Sequence, residues 1–180
     1  TLIINLSATD VDNDSIDLTF LASSSDNANV SVSVEGTQLT MIPALDFDGS
    51  VNITVEVSDG ELSDSEIFVL TVNPINDSPV LSFIGSRATE EDTDLILILT
   101  ATDVDNSELY FDASSDTESV NVIVDGDQLT LSPVLNYYGI ANISVTVSDL
   151  FDTATDTFLL TVNSVNDAPV MDAIAAQSTY

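Results

Sequence analysis

Acidic residues form three kinds of cluster that each occur twice in the chain. An Asp-Val-Asp triplet stands at residues 10–12 and again at 103–105. A single aspartate ends an alternating apolar run in each half, and an Asn-Asp pair follows another such run. The members of the three kinds are Asp10, Asp12, Asp103 and Asp105; Asp59 and Asp149; and Asn76, Asp77, Asn166 and Asp167. The chemistry open to them is that of carboxylate and amide oxygens.

Carboxylates that converge on one place repel each other unless a cation lies among them. Calcium accepts about six to eight oxygen ligands at flexible geometry, whereas magnesium keeps its waters and takes fewer protein ligands. The Asp-x-Asp spacing places both carboxylates on the same side of an extended chain. The clusters therefore predict calcium sites. The alternative explanation is that Asp and Asn end strands by forming Asx turns, on a surface whose acids only keep the protein in solution.

The composition excludes several classes of function. The chain carries 31 acidic residues against a single basic one, Arg87, for a formal net charge of −30. A nucleic-acid partner is excluded because phosphate binding needs Lys and Arg, and an anionic membrane surface is disfavoured for the same reason. Because Cys and His are absent, zinc sites lose their usual ligands and Ser or Cys nucleophiles lose their base. The longest apolar run, 95–99, is too short to insert across a membrane.

Catalysis by carboxylates alone is compatible with the composition. A glycosidase can work with two carboxylates. The acidic clusters recur in both halves of the chain, which indicates a repeated architectural feature instead of a unique active site. We therefore expect that the protein is not an enzyme.

An EF-hand loop is excluded as the source of calcium binding. Counting from Asp10, the sixth residue is Ser15 where the loop needs glycine, and the twelfth is Leu21 where it needs glutamate. The first copy of the loop has a third aspartate, Asp14, but Ser107 replaces it in the second. If these residues bind calcium, another arrangement must position them.

Two copies of one repeat make up most of the chain. The positions that match at an offset of 90 residues include Gly36 and Gly126, Pro43 and Pro133, Gly49 and Gly139, and Phe68 and Phe158. Upstream the offset is 93, because the first copy is three residues longer after its Asp-Val-Asp triplet. We predict a first repeat at 1–76 that lacks its first strand, a complete repeat at 77–167, and the first strand of a third repeat at 168–180. Because the chain begins inside a strand pattern, we expect it to be part of a longer protein.

Apolar and polar residues alternate through both copies, which is typical of half-buried antiparallel strands. Clusters of Gly, Asn, Asp and Ser separate the alternating runs. The second copy is predicted to hold seven strands, at about 80–84, 94–101, 108–113, 119–124, 128–132, 140–148 and 155–163. The pattern favours an all-β fold of tandem immunoglobulin-like, seven-stranded antiparallel β-sandwiches over a small barrel or a β-solenoid.

The two ends of the chain carry complementary features. The first copy lacks the counterpart of strand 80–84, and residues 170–174 repeat the apolar pattern of that strand. One interpretation is that both ends are simply mobile. The other is that neighbouring molecules exchange strands, so that the terminal strand of one adds to the first repeat of another.

The order and spacing of these motifs resemble those of cadherin repeats, and more closely the cadherin-like tandem repeats of large bacterial surface and adhesin proteins. The matching features are Asp-x-Asp after the second strand, Val-Ser-Asp near the end of the sixth, and Asn-Asp-(Ser/Ala)-Pro after the seventh. The resemblance implies sandwiches joined end to end with Ca²⁺ at each junction, in a secreted adhesion module at the bacterial cell surface. The partners that it implies are a second copy in homophilic binding, another cell-surface protein or a glycan.

Carried over position by position, the resemblance implies a set of ligands for each junction. The junction at 72–80 would use Asn76, Asp77, Asp103, Asp105 and Asp149, with Asp46 and Asp48 from the preceding repeat. Glu91 would face the next junction, at 162–170, and Asp10, Asp12 and Asp59 would serve a junction with a preceding repeat. Pro74 stands where cadherins have a linker aspartate, and Asn136 breaks the acidic pair in the second copy. We therefore expect the junction at 72–80 to bind calcium better than that at 162–170.

Ligand binding without calcium is the main alternative function. Tyr137 and Tyr138 are adjacent aromatic residues outside the core pattern, and exposed aromatics on sandwich domains can bind sugars. The protein would then be a carbohydrate- or protein-binding module whose acidity is only a solvated surface. The first copy has Phe47 and Asp48 at the matching positions, so the aromatic pair is not a repeated feature.

Overall fold

The computed structural model describes residues 1–12 and 17–176, in which every regular element is a β-strand and no helix is present that could cross a membrane. Two compact units divide the chain, Thr1–Ile75 and Asn76–Tyr180. The first unit holds β1 (Leu2–Asn5), β2 (Thr19–Ser24), β3 (Val30–Glu35), β4 (Gln38–Pro43), β5 (Gly49–Ser58) and β6 (Ser63–Val72). The second holds β7 (Val80–Leu81), β8 (Arg87–Glu90), β9 (Leu95–Ile98), β10 (Ala101–Thr102), β11 (Tyr110–Ser115), β12 (Val120–Asp125), β13 (Gln128–Pro133), β14 (Gly139–Ser148) and β15 (Thr153–Asn163).

The described strands of the first unit form two three-stranded antiparallel sheets, ordered β1-β4-β3 and β2-β5-β6. Alternation decides which side of a strand faces inward: in β5, Val51 and Ile53 are buried while Asn52 between them is exposed. A shift of one residue would turn the polar side chains into the core, so the pattern fixes the register. A two-residue turn joins β3 to β4, and Gly36 supplies the positive φ of 58° that such a turn requires.

The second unit repeats this strand order and adds a first strand. Its sheets are ordered β12-β13-β9 and β11-β14-β15-β8, and a short ladder pairs β7 with β10. In chain order, β7 and β8 are two pieces of a first strand, and β9 and β10 are two pieces of a second. The strand segments of this unit therefore correspond to the seven strands of the predicted sandwich, and the fold class is confirmed.

The first strand of the second unit differs from its prediction. The strand expected at 80–84 ends at Leu81, and a second piece at Arg87–Glu90 pairs in parallel with β15. Gly85, with a φ of 68°, breaks the chain between the two pieces. The sequence of β8 has a single apolar residue, Ala88, so no alternating pattern marks it as a strand. This parallel pairing is an exception to the antiparallel arrangement that we predicted.

The second strand is also divided where the prediction made it continuous over 94–101. β9 pairs with β13, whereas Ala101 and Thr102 leave that sheet and pair with β7. Leu99 lies at the change of partner, and its N–H donates to the backbone oxygen of Asp127 (2.8 Å). The other five strands of the unit lie within two residues of their predicted bounds.

Each unit packs its own aliphatic core, and the second core is larger. The positions that are buried in both units are Val30, Leu39, Met41, Val51 and Ile53 in the first and Val120, Leu129, Leu131, Ala141 and Ile143 in the second. The second core also includes Ile84, Leu99, Val145, Phe158, Leu160 and Val162. The counterparts of the last five in the first unit are only half-buried: Leu6, Val55, Phe68, Leu70 and Val72. Leu81 of β7 and the following Ile84 therefore complete a core that is partly open in the first unit.

Residues 164–176 follow β15 without forming a strand. Within them Val170, Met171 and Ile174 are exposed. The predicted third-repeat fragment at 168–180 continues into residues 177–180, which lie outside the described part of the chain. Asp14 and Ser15, on which the exclusion of an EF-hand loop partly depends, lie outside it as well.

Candidate metal centre

Asp103 and Asp149 lie on two loops of the second unit, one after β10 and the other between β14 and β15. Each is held by an Asx turn. Asp103 Oδ1 accepts hydrogen bonds from the backbone N–H groups two and three residues ahead, at 2.8 and 2.7 Å. Asp149 Oδ1 does the same at 2.7 and 2.6 Å. The formation of Asx turns therefore accounts for the Oδ1 atom of both residues. The Oδ2 atom of each residue takes no part in these turns.

Asn76 begins the second unit and connects these loops. Its side-chain nitrogen donates to Asp149 Oδ2 (2.8 Å) and to Asp152 Oδ2 (3.1 Å). Its side-chain oxygen accepts a hydrogen bond from Nδ2 of Asn106 (3.2 Å), which belongs to the Asp103 loop. One amide group thus bridges two carboxylates of one loop and reaches the other loop.

Asp77 adds a second link between the start of the unit and the Asp103 loop. Its backbone N–H donates to Asp105 Oδ2 at 2.6 Å. Asp105 in turn donates its own N–H to Asp103 Oδ1. The ligands that the resemblance implies from this unit are therefore joined by hydrogen bonds into one network: Asn76, Asp77, Asp103, Asp105 and Asp149 with Asp152 and Asn106.

Burial and hydrogen bonding act in opposite directions on the Asp149 carboxyl. The residue is 3% exposed, and burial by itself would raise its pKa because the charged form loses hydration. Hydrogen bonds from the Asp152 backbone, the Asn76 side chain and the Phe151 backbone outweigh burial, so the pKa of Asp149 lies below its ordinary value. Asp149 therefore keeps a negative charge at neutral pH in a place that water hardly reaches.

Asp103 Oδ2 is buried and has no hydrogen-bond partner among the described residues. Leaving a buried polar atom unpartnered costs on the order of 1–3 kcal/mol, and more when the group is charged. A cation next to this oxygen would remove that cost. The surrounding side-chain donors to a metal are all oxygens, which is the ligand type that calcium requires. The ligand chemistry around Asp103 Oδ2 is therefore of the type that calcium requires.

Carboxylates alone do not complete the centre. Within the described residues, no group of three or more acidic side chains is placed to hold a metal ion by itself. The side-chain nitrogen of Asn76 instead lies in contact with both Asp149 and Asp152. A calcium ion here would therefore need the amide oxygen of Asn76 or backbone carbonyls among its ligands, and both are ordinary calcium ligands.

The equivalent acids of the first unit make the same turns. Asp10 Oδ1 accepts the N–H of Asp12 (2.8 Å). Asp59 Oδ1 accepts the N–H groups of Leu62 and Glu61, both at 2.7 Å, and these bonds hold the pKa of Asp59 below its ordinary value. Asp10 and Asp59 line one cleft, which does not include Asp12, and both Asp10 and Asp12 are exposed. The fold thus places the Asp10 and Asp59 loops next to each other, as it does in the second unit.

Asp46 and Asp48 lie in the turn between β4 and β5, at the end of the first unit where β6 finishes, since Gly49 pairs with Val72. Both aspartates are exposed. Asp46 has a φ of 57°, in the left-handed region that Asp and Asn tolerate better than other side chains. Its counterpart Asn136 has a φ of 59°. Turn geometry is therefore a sufficient reason for Asp or Asn at this position.

Glu91 lies at the opposite end of the second unit from Asp149, since it contacts the end of β15 and Asp149 precedes its start. It is 6% exposed, and its Oε1 accepts the backbone N–H of Val165 (2.5 Å) while its own N–H donates to the oxygen of Asn163 (2.8 Å). Glu91 thus holds the segment that follows β15. Asp167 in this segment is exposed.

Two members of the network were not predicted from the sequence. Asp152 has Leu62 at the matching position of the first copy, so a search for repeated acids passes over it. Asn106 follows the Asp-Val-Asp triplet, and Asn13 matches it in the first copy. That match was a usable signal, although Asn13 lies outside the described residues.

The aromatic pair Tyr137–Tyr138 is not the exposed surface that the sugar-binding interpretation required. Tyr137 packs against the core of the second unit, and its hydroxyl donates to the backbone oxygen of Ile140 (3.0 Å). Gly139 lies against the ring, and a Cβ there would be 3.1 Å from the hydroxyl oxygen. Phe47 packs on the first core in the same way. Tyr138 alone of the pair is exposed, at 66%.

Residues 2–73, which are less than half of the chain, match the family described as the cadherin-like domain. The match runs from the start of β1 to the end of β6. The second unit carries the same repeated sequence and strand order, with the first strand that the cadherin-like unit before it lacks. The resemblance inferred from the motifs is therefore confirmed.

This chain is similar to a fragment of a human protocadherin and to part of a chitinase. The EC1-2 fragment of human protocadherin-24 is 17% identical, with a TM-score of 0.58, over 92% of this chain and 88% of that one. At this identity the likeness shows the fold alone. Chitinase A of Pseudoalteromonas piscicida is 25% identical over 173 residues, which are 94% of this chain and 20% of that enzyme. The chain therefore spans one fifth of the length of that relative.

Proposed function

We propose that the chain is a calcium-binding adhesion and spacer module of an extracellular, cell-surface protein. Calcium binds at the start of the second unit, next to Asn76, Asp103 and Asp149. The cadherin-like assignment supports an extracellular location, because domains of this kind are typically extracellular. The single observation that carries calcium binding is the buried Oδ2 of Asp103, which has no partner among the described residues.

Calcium would balance charges that the protein leaves uncompensated. Asp149 is buried and ionised, and the Asn76 amide offers it only the partial positive charge of an N–H group. The chain has a single basic side chain, Arg87, whose Nη1 donates to the oxygen of Ser86 at another place in the unit. A divalent cation is the charge that would stabilise so many carboxylates on neighbouring loops.

The bound ion would restrain the chain that connects the repeats. Ile75 ends the first unit and Asn76 begins the second, so an ion that binds Asn76 fixes this connection to the second unit. Pro74 already restricts the backbone before it. In the proposal, Asp46 and Asp48 of the preceding repeat supply further oxygens. Neighbouring repeats then rotate less against each other, and a row of them behaves as a stiffer rod.

Calorimetric titration with calcium tests binding. The variant Asp103→Ala/Asp105→Ala is expected to lose the binding heat of the wild type, whose dissociation constant should fall near 10⁻⁴–10⁻³ M, about the range of extracellular modules. The matched control is Asp10→Ala/Asp12→Ala, which removes the same triplet from the first unit and should keep the heat. Equal isotherms for the wild type and the Asp103→Ala/Asp105→Ala variant would refute the site.

The same titration, carried out on further variants, compares the contributions of the remaining ligands that the resemblance implies. Asp46→Asn/Asp48→Asn is expected to weaken binding several-fold if the preceding repeat contributes oxygens. Glu91→Gln should leave the main binding heat unchanged, because Glu91 belongs to the 162–170 segment, where we propose a weaker site. Asp59→Asn should also leave it unchanged, because Asp59 belongs to the first unit.

Small-angle scattering tests stiffening separately from binding. With calcium the scattering curve should fit a narrower set of conformations than with a chelator, while the circular dichroism of the two sandwiches stays the same. An unchanged scattering curve in a protein that binds calcium by calorimetry would reject the stiffening role and retain the binding site.

A second candidate role is that of a non-catalytic module of a carbohydrate-degrading enzyme. The similarity to Chitinase A, which extends over 94% of this chain, favours it. Tyr138 is the exposed member of the adjacent aromatic pair and would contact a sugar. Binding to chitin beads that is lost in Tyr138→Ala would support this role. Full recovery of the wild type in the unbound fraction would reject it.

A further inference from the structure

Phe83 is an aromatic residue that the second unit leaves on its surface. It lies between β7 and β8, and its side chain is 87% exposed, the largest fraction of any aromatic side chain among the described residues. Its neighbour Ile84 is 9% exposed and belongs to the core. Ile84 therefore anchors this segment to the core, and the ring of Phe83 makes no part of it.

Arg87 follows on the same segment and is the single basic side chain of the chain. It is exposed, and its Nη1 donates to the backbone oxygen of Ser86 (3.2 Å). No carboxylate within the described part of the chain forms an ion pair with it, although the chain has 31 acidic residues. A guanidinium carries five N–H donors in a rigid planar fork that fits two oxygens of one acid group. Most donors of Arg87 therefore remain available to a ligand.

Gly85 brings the ring and the guanidinium to the same place. Its φ of 68° lies in the left-handed region, which glycine adopts without strain. A Cβ at this position would lie 3.2 Å from Cε1 of Phe83 and 3.6 Å from Nη1 of Arg87. The two side chains therefore border one point on the surface, and glycine places no side chain between them.

The repeat itself requires neither side chain. When residues 80–84 are matched with 170–174, Ala173 aligns with Phe83 and Gln177 aligns with Arg87. The apolar residue that packs on the core does recur, since Ile174 aligns with Ile84. An aromatic ring and a cation that occur together in one copy alone indicate a ligand of that copy instead of a feature of the fold.

A ligand that uses both side chains must combine a flat apolar face with an acid group. The face of an aromatic ring carries partial negative charge, so it attracts the C–H groups on one face of a sugar ring. The guanidinium binds a carboxylate or a sulfate with two parallel hydrogen bonds. An acidic sugar presents both features on one rigid ring, so it loses less freedom on binding than a flexible acidic peptide does.

We propose that Phe83 and Arg87 form a binding subsite for an acidic saccharide, in which a sugar ring stacks on Phe83 and its carboxylate or sulfate pairs with Arg87. The subsite uses no residue of the candidate metal centre and does not include Tyr138. The carboxylate of Asp156 is near, since its Oδ2 accepts the N–H of Ile84 (3.4 Å). This carboxylate and the net charge of −30 oppose a long polyanion. The site therefore favours a short acidic saccharide.

Nuclear magnetic resonance titration of the whole chain tests the subsite. The probes are trigalacturonic acid and its fully methylated ester, which has the same rings without the charge. The salt concentration is about 0.15 M, where charges more than about 8 Å apart are largely screened. In the wild type the acid should shift the amide signals of residues 82–87 and bind about fivefold more tightly than the ester.

Two variants separate the roles of the ring and the cation. Phe83→Ala should weaken the binding of both probes about tenfold, whereas Arg87→Gln should make the acid and the ester bind equally. Both altered side chains are exposed, and the substitutions copy Ala173 and Gln177, so the unit keeps its fold. The matched control is Tyr138→Ala, which removes another exposed aromatic ring and should leave both affinities unchanged.

A sulfated galactose tetrasaccharide, added in the same titration, distinguishes sulfate from carboxylate as the preferred acid group. Tighter binding of either acid than of the ester supports the proposal. The proposal is overturned if neither acid binds more tightly than the ester, or if Arg87→Gln retains the full preference for the acid. It is also overturned if an acidic peptide shifts the signals of residues 82–87 and neither acidic saccharide does. Chitin binding through Tyr138 is measured separately, so the two results are independent.

Discussion

The two units share a strand order and a sequence pattern but differ in how completely they close. Val145 and Val147 of the second unit are fully buried, whereas Val55 and Val57 at the same positions of the first are half-buried. The strands that carry these residues pair in the same register in both units. The difference therefore lies in what covers the strands, and β7 with Ile84 supplies the cover in the second unit.

The same contrast extends to the acidic loops. Asp59 and Asp149 make identical Asx turns with Oδ1. In the second unit Asn76 also reaches Asp149 Oδ2, and burial reduces the exposure of this carboxylate to 3%. One set of turns thus becomes a candidate metal centre when the preceding segment packs onto it. The residues of one repeat are therefore not sufficient by themselves, because the segment that precedes the repeat completes both its apolar core and its pair of acidic loops.

Truncating a core side chain should have the largest effect, and the effect should differ between the units. Leu160 is fully buried and Leu70, its counterpart, is half-buried. Leu160→Ala is expected to lower the free energy of unfolding of the second unit by about 2–5 kcal/mol, and Leu70→Ala should cost the first unit about half as much. Urea unfolding measures both, and equal losses would contradict the idea that the first core is partly open.

The units should unfold at different denaturant concentrations, with the first less stable by about 3 kcal/mol, because several of its apolar side chains give up part of their burial. All the tyrosines lie in the second unit, at positions 110, 137, 138 and 180. Tyrosine fluorescence therefore follows the second unit alone, whereas far-ultraviolet circular dichroism follows both. The dichroism should begin to fall before the fluorescence changes. A single coincident transition at low protein concentration would show that the cleft costs the first unit little.

Substitutions of Asp46, in the turn between β4 and β5, should show whether backbone geometry or charge determines the residue that this position requires. Asp46→Val places a β-branched side chain at a φ of 57° and should cost about 1–3 kcal/mol. Asp46→Asn, which copies the residue found at 136, should leave the stability of the first unit nearly unchanged. The midpoint of thermal unfolding, followed by circular dichroism, measures both variants. A large loss in Asp46→Asn would mean that the carboxylate itself stabilises the turn.

The smallest expected effect concerns a hydrogen bond that the units make differently. Asp116 accepts the side-chain Nδ2 (2.7 Å) and backbone N–H (2.9 Å) of Asn142, and these bonds lower its pKa. Asp26, its counterpart, has its pKa lowered by Asn29 within its own turn. A lowered folded-state pKa adds stability that is complete above the unfolded pKa of about 3.9 and is lost as pH falls through the folded value.

Asp116→Asn should therefore destabilise the second unit at pH 7, and the difference from the wild type should shrink as pH falls below about 4. Urea unfolding followed by tyrosine fluorescence at pH 7 and at pH 3 measures it. Asp26→Asn serves as the control, since it lies in the unit that has no tyrosine and should leave the fluorescence transition unchanged. A difference that stays constant with pH would show that the charge of Asp116 is not involved.

Particular residues show how far the sequence predicts the fold. Alternation in 51–57 predicted β5 and its buried face, because side chains on a strand turn inward every second residue. The strand at Arg87–Glu90 escaped prediction because its stability comes from parallel pairing with β15 and not from its own pattern. The break after Ile98 was not predicted for the same reason, because residues 101–102 pair with β7 and not with β13.

The candidate site shows a similar division. The repeated acids predicted Asp103, Asp105 and Asp149, which do enter one network. Asp152 was missed because the first copy has Leu62 in its place. Tyr137 was misjudged because its ring packs on the core and its hydroxyl reaches Ile140. Neither contact leaves a periodic trace in the sequence.

The sequence by itself determined the repeat, the all-β class and the acidic positions. These follow from composition and from short-range periodicity, which any reader of the chain can count. Only the tertiary structure decided that Asn76 bridges Asp149 and Asp152, that Asp103 Oδ2 is left without a partner among the described residues, and that the first core stays open. Those outcomes depend on contacts between segments far apart in sequence, where small differences in what packs on a strand edge decide what is buried.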